Sequence, residues 1–251
     1  MRLLYAGDGE VGGAANYVLG VCRALRIAVT HVPPSRVLTP GLLTRRPHVV
    51  ILSDMAASRV PRAAQEAIAA HVARGGGLLM VGGWGSFSGP FGGWRGTRVE
   101  SLLPVRCRAG DDRVHAPGGA LLVPVRPHPI LDGVSFRELP VICGWNAIQP
   151  TRESLIVLRA HRLLAKTTGR GQRPQLSLER MGSPLLVVAA DPARRVAALA
   201  TDLAPHWCGG LVDWGRRRRG LPVRGRIRIE VGDRYVQFIG ALLHWLAGAR
   251  S

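Results

Sequence analysis

Residues 48–81 read HVVILSDMAASRVPRAAQEAIAAHVARGGGLLMV, and this stretch decides the fold. His48–Leu52 is an unbroken apolar run of strand length, and Leu78–Val81 is another. Apolar strands without polar alternation belong to parallel sheets covered on both faces. Between them, Ala64, Ala67, Ile68 and Val72 recur at helical spacing, which predicts a helix from about Val60 to Arg74. Ser58 stands where a cap would be needed, and Gly75-Gly76-Gly77 supplies the stop. Strand, helix and strand in this order make a βαβ unit.

The same alternation continues outward. Arg2–Ala6 (RLLYA) reads as a buried first strand, broken by Gly7-Asp8-Gly9. Ala14–Leu25 places Val18, Val21, Cys22 and Leu25 on one helical face. Ile27–Val32 is a second strand, ended by Pro33-Pro34, and Thr39–Thr44 has the length of a short helix. Leu185–Ala190 and Arg195–Ala200 read as an antiparallel pair turning at Asp191-Pro192, and Asp233–Ala247 as a final helix. Residues 97–180 are less regular. They carry turn signals at Gly110-Asp111-Asp112, Pro117-Gly118-Gly119 and Asp132-Gly133, with strands at Leu121–Val125 and Leu155–Ala160.

The expectation is one α/β domain over residues 1–251: an open, mostly parallel sheet with helices on both faces and an irregular β-rich insertion at 97–180. Ligands bind such sheets beyond the carboxyl ends of the strands. That rule selects the loops Gly7–Gly13, Ser53–Ser58, Gly82–Gly96 and Thr201–Trp214. From them come the expected pocket residues Asp8, Asp54, Gly82, Gly83, Trp84, Ser86 and Trp207.

Composition narrows the partners. The 251 residues are 47% hydrophobic and 20% charged, which excludes a disordered or collagen-like chain. Lys+Arg number 34 against 16 Asp+Glu, a net charge of +18. Lys166 is the only lysine, so the charge is carried by arginine, as codon bias in a GC-rich genome would produce. The one dense cluster is Arg216–Arg219, followed by Arg224, Arg226 and Arg228. No aromatic residue interleaves it to stack bases, and no helix-turn-helix, zinc-finger or RNA-binding signature accompanies it. A solvated loop carrying charge for solubility is therefore expected there, and nucleic acid is not the expected partner. Cys22, Cys107, Cys143 and Cys208 form no CxxC pair, and the eight histidines show neither HxxxH nor HExxH spacing. No metal site and no cofactor are expected. No apolar run reaches the ~18 residues of a membrane helix, and no signal-peptide pattern opens the chain. The expectation is a cytoplasmic protein with reduced thiols, a small-molecule ligand, and self-association through exposed tryptophans as an option.

Several segments resemble a bacterial family of class I glutamine amidotransferase-like proteins. They are Gly75–Phe87 (GGGLLMVGGWGSF), Gly92-Gly93-Trp94, His128-Pro129-Ile130-Leu131, Gly144-Trp145-Asn146, Thr201–Trp214 (TDLAPHWCGGLVDW) and the helix Phe238–Leu246. Gly7-Asp8 and Thr30-His31-Val32-Pro33 fit as well, so the resemblance spans nearly the whole chain. It implies a flavodoxin-like sheet, which is also similar to that of trehalose-utilisation-type proteins.

The resemblance further implies where chemistry would sit. A glutaminase of this fold carries a cysteine on a tight turn after a strand, a histidine base and an orienting carboxylate. Here the turn after Leu78–Val81 reads Gly82-Gly83-Trp84-Gly85-Ser86 and has no cysteine. It is not G-x-S-x-G either, although Ser86 and Ser88 lie nearby. Asp202 and His206 stand where the resemblance places the carboxylate and the base, and they are the candidate catalytic pair; Asp202 as a turn cap and His206 as loop packing is the other reading. Cys208 is a conceivable displaced nucleophile, and Cys107, between two arginines, would have a lowered thiol pKa if exposed. The glycine-rich loop also carries Trp84, Phe87, Phe91 and Trp94. They either wall a pocket for a sugar or other small ligand, or pack against Trp207 or Trp214 as a satellite cluster. Three functions remain open: an amidotransferase-like ligand binder without glutaminase activity, a hydrolase of different chemistry using Asp202 and His206 on a small polar or sugar-like substrate, and a nucleic-acid-associated basic protein.

Overall fold

The computed structural model describes residues 1–9, 13–167, 169 and 173–248. Strands β1 (Arg2–Gly7), β2 (Ala28–Val32), β3 (Val49–Ser53) and β4 (Gly77–Val81) are linked through helices α1 (Asn16–Ala24) and α2 (Arg62–Ala73) and a 3₁₀ turn at Pro40–Arg45. Then come β5 (Val105–Arg106), β6 (Arg113–Pro124), β7 (Val141–Asn146), β8 (Gln149–Pro150), β9 (Ser154–Lys166), β10 (Gln175–Leu178), β11 (Ser183–Ala189) and β12 (Val196–Leu199). A short helix α3 (Pro205–Cys208), a hairpin of β13 (Arg218–Arg224) and β14 (Ile227–Gly232), and the long helix α4 (Asp233–Leu246) complete the chain.

Ten strands form one mixed sheet in the order β2-β1-β3-β4-β12-β11-β9-β6-β7, with β10 added beside β9. The first five are parallel to one another; from β12 onward each strand is antiparallel to its neighbour. The fold is α/β with a parallel core, as expected. The chain steps one way from β1 to β2 and the other way from β3 to β4. Right-handed crossovers therefore put α1 and α2 on opposite faces, and β1 and β3 meet at the switch point.

Core composition explains the parallel half. Every residue of β3 and β4 is buried, as the runs VVILS and GLLMV require. α4 covers one face with Phe238, Ile239, Leu242, Leu243 and Leu246, and its carboxyl end reaches Gly77, where a Cβ would lie 2.4 Å from the Leu246 carbonyl oxygen. The pair β11–β12 is antiparallel, as expected, with Leu186 opposite Leu199.

Three local expectations change. Ser58 does not cap α2: it lies in a separate 3₁₀ turn at Ala57–Arg59, and Pro61 precedes the helix. Proline fixes φ for the first turn, so the helix starts without a side-chain cap. Pro117-Gly118-Gly119 makes no chain reversal. It lies inside β6 as an irregularity between His115 and Ala120, with Gly119 at φ +86°. The described residues of 97–180 are also more ordered than their turn signals suggest, because β6, β7 and β9 extend the main sheet.

Candidate functional site

The strand ends at the switch point are built to touch. Gly7 has φ +122°, and a Cβ on it would lie 1.5 Å from the Ser53 carbonyl oxygen. The residues that follow each strand, Asp8 (φ +56°) and Asp54 (φ +50°), are both left-handed. Aspartate enters this region at lower cost than most residues, because its short side chain bonds locally.

The two aspartates have different surroundings. Asp8 is buried and accepts the Tyr5 hydroxyl. Burial pushes its carboxyl up to about 7, and the neighbouring Asp202 carboxylate adds to the rise. Burial also raises the Tyr5 phenol well above its usual value, with Asp8 contributing. Asp202 is buried too, and its Oδ1 accepts the Ala204 N–H at 2.9 Å. That bond is the turn-capping geometry of the second reading. His206 lies in α3, and its side chain falls outside the described residues, as does that of Cys208.

Asp54 belongs to an accessible cleft. Its Oδ1 accepts the Gly85 N–H, and its own N–H donates to Ser86 Oγ at 3.0 Å. Ser86 is buried, so its hydroxyl braces two adjacent strand ends. The Ser88 hydroxyl donates to the Arg108 carbonyl at 2.6 Å. The chain after β4 runs through successive turns into the 3₁₀ segment Glu100–Leu102; no α-helix follows it.

Beneath this turn, one carboxamide joins distant segments. Asn146 Oδ1 accepts the Gly83 N–H at 2.9 Å, and its Nδ2 donates to the Gly83 carbonyl at 3.2 Å and to Asp112 Oδ1 at 2.7 Å. The Asn146 N–H donates to the Ala200 carbonyl at 2.8 Å. Gly82 makes this approach possible, since a Cβ there would lie 2.0 Å from Ala200 O. The antiparallel half thus curls back over the carboxyl ends of β4 and β12.

The cleft so formed has a volume of about 700 Å³ and is lined by Pro34, Asp54, Ala56, Arg59, Trp84, Gly85, Phe91, His115 and Trp207. Trp84 and Phe91 stack with centroids 6.4 Å apart and stay 44% and 67% exposed. Arg113 lies over the Trp84 ring at 4.2 Å and is itself held by Asp111. On the other wall, His115 meets Trp207 edge-on at 5.9 Å. The four loop aromatics therefore divide. Trp84 and Phe91 face the cleft, while Phe87 and Trp94 are fully buried, with Trp94 Nε1 donating to the Met55 carbonyl at 2.9 Å. Trp214 packs elsewhere, against Phe136 and Phe238.

Of the residues singled out from the sequence, Asp54, Trp84, Phe91 and Trp207 line the cleft. Gly82, Gly83 and Ser86 support it from below, and Asp8 and Asp202 lie buried outside its lining. Sequence reasoning missed Arg59, His115, Asp112 and Asn146. The triplet Gly144-Trp145-Asn146 was legible as a motif, but its bond to Gly83 spans 63 positions.

Other chemistry is placed away from the cleft. Cys22 is buried, its thiol pushed up to about 12 by desolvation. Cys107 is buried as well, and desolvation, with Glu100 and Asp112, raises its thiol against the opposing pull of Arg106. The arginine cluster expected as a loop forms much of the β13–β14 hairpin, because the backbone of Arg218–Arg224 pairs with Ile227–Gly232; Arg216 pairs with Glu138 at 2.8 Å, and Arg218 with Asp213 at 2.6 Å and Glu230 at 2.9 Å. Among the described residues no cluster of three or more His, Cys, Asp or Glu is placed to hold a metal ion. No helix among them is long and apolar enough to cross a membrane.

Comparisons with solved structures support this architecture. The cytoplasmic protein STM3548 from Salmonella typhimurium aligns with a TM-score of 0.64 at 24% identity, over 82% of this chain and 90% of that one. The cytoplasmic protein STM1381 from Salmonella typhimurium LT2 also aligns at 0.64, with 25% identity over 83% and 91%. A "putative gmp synthase subunit a protein" from Thermoplasma acidophilum aligns at 0.51 and 10% identity over 98% and 95%, a likeness of fold alone. No curated protein sequence matches the chain. The family described as "Putative glutamine amidotransferase" matches residues 48–219, more than half of the molecule. The chain belongs to that family of class I glutamine amidotransferase-like proteins.

Proposed function

We propose that this protein is a small-ligand-binding member of its family that does not hydrolyse glutamine, and that the ligand occupies the cleft between Trp84–Phe91 and Trp207–His115. One observation carries the reading: the turn after β4 presents Trp84 and Gly85 to the cleft, and its serine hydroxyl accepts the Asp54 N–H. Where a glutaminase needs a nucleophile, this chain has an aromatic wall and a brace. Exposed aromatic faces beside a carboxylate and a guanidinium suit a small ligand with one flat apolar face and polar groups at its rim. The Salmonella neighbours are described as cytoplasmic, and we assign the same compartment here.

The test is ammonia release from L-glutamine by purified protein. The expected rate equals that of a protein-free control. Turnover well above it that disappears in His206→Ala or Cys208→Ser would overturn the reading.

A second reading, a hydrolase working through Asp202 and His206, is favoured by one feature: Asp8, beside Asp202, titrates near neutrality and so can exchange a proton at working pH. A panel of small ester and amide substrates tests it. Activity lost in both Asp202→Asn and His206→Ala would establish it.

A further inference from the structure

Three cavities that share lining residues, of about 560, 370 and 250 Å³, run from the carboxyl end of α2, near where β4 and β12 begin, to its amino end on one side and to residues 101–106 and 151–153 on the other. Arg98 borders the first and second, and Arg194 borders the first and third. Together they are edged by Arg62, Arg74, Arg98, Arg106, Arg152 and Arg194, against Glu66, Glu153 and Asp191. The aromatic cleft, by contrast, has Arg59 alone. The track is therefore edged by more guanidinium groups than the main cleft is.

Three carboxylates face the six arginines, so a local excess of three positive charges remains. Glu66 meets Arg98 at 3.3 Å with both side chains about half exposed, a setting in which an ion pair contributes little. Arg194 has a fixed direction, since its Nη2 donates to the Leu102 carbonyl at 2.8 Å. Guanidinium forks match phosphate oxygens in bidentate geometry, and forks spread along a track match successive phosphates. No residue edging the three cavities is aromatic, so there is no platform for stacked bases.

We propose that the part of this track edged by Arg74, Arg98 and Arg194, with Arg106 in the adjoining cavity, is a binding site for a small oligophosphate, a ligand with two or three linked phosphate groups, separate from the strand-end cleft. The test is calorimetric titration of the full chain with inorganic triphosphate at low salt. Two double variants each remove two exposed arginines whose side chains make no hydrogen bond among the described residues. Arg74→Ala/Arg106→Ala lies in the track, and Arg217→Ala/Arg219→Ala lies in the β13–β14 hairpin. Thermal melts verify that both variants fold.

The expected result is saturable binding to the native chain, weakened about tenfold or more in the track variant and less than about twofold in the hairpin variant. Inorganic monophosphate should bind more weakly than triphosphate. Equal losses in the two variants would reduce the effect to bulk charge and overturn the proposal, as would the absence of saturable binding. A single-stranded DNA oligonucleotide that binds the native chain more tightly than triphosphate, and loses that affinity in the track variant, would overturn it in favour of a nucleic-acid surface.

Discussion

Strands β3, β4 and β12 are buried along their whole length, whereas β10 is exposed at every position and β9 passes from buried to exposed along its course. The two halves of one sheet thus live in different solvents. The parallel half is joined by helical crossovers that cover both faces, so its strands tolerate no polar alternation. The antiparallel half needs no crossovers and leaves surface in water. Stability should reside in the first half, and the second should supply the wall of the cleft.

Substitutions can break or sharpen this contrast. The largest effect is expected at the switch point. Gly7→Ala would place a methyl 1.5 Å from Ser53 O at φ +122°, and should cost about 5 kcal/mol or abolish folding, read by denaturant unfolding. Next, Ile51→Ala in the fully buried β3 should cost about 3–4 kcal/mol, while Leu176→Ala, at 70% exposure in β10, should cost less than about 0.5 kcal/mol. Similar losses at the two sites would erase the distinction between the halves.

A further effect concerns pH. Asp8 has a carboxyl raised from 3.8 to about 7 in the folded chain. The folded state therefore binds the more protons between these values. The favourable contribution of the protonated form is complete below about 4 and is lost as pH rises through about 7. Asp8→Asn should thus gain stability relative to the native chain as pH rises across this window, by up to about 4 kcal/mol in thermal melts. A difference that stays constant from pH 4 to 8 would place the titration elsewhere.

The same contrast explains what the sequence made legible. HVVIL and LLMV announce parallel strands because total burial imposes total apolarity, and the strand-end rule then leads to Asp54, Trp84 and Trp207. The antiparallel half carries weaker local marks. Pro117-Gly118-Gly119 has the chemistry of a turn, yet neighbouring strands absorb it as an irregularity within β6. The burial of Asp8 and Asp202, and the arrival of His115 opposite Trp84, depend on the sheet curling back, which no local pattern encodes. The division of the loop aromatics is of the same kind: Phe87 and Phe91 are four residues apart, one wholly enclosed and the other in solvent.

Asn146 reads both the amide and the carbonyl of Gly83, as a neighbouring strand would, while also reaching Asp112. A single side chain thereby splices the far margin of the sheet to its centre. The cleft's floor and the β6–β7 wall must then travel as a unit, and the Ser88 N–H, donating to Asp112 Oδ2 at 2.9 Å, ties the Trp84–Phe91 segment to the same splice. Tampering with the splice would unseat the floor along with both of these walls.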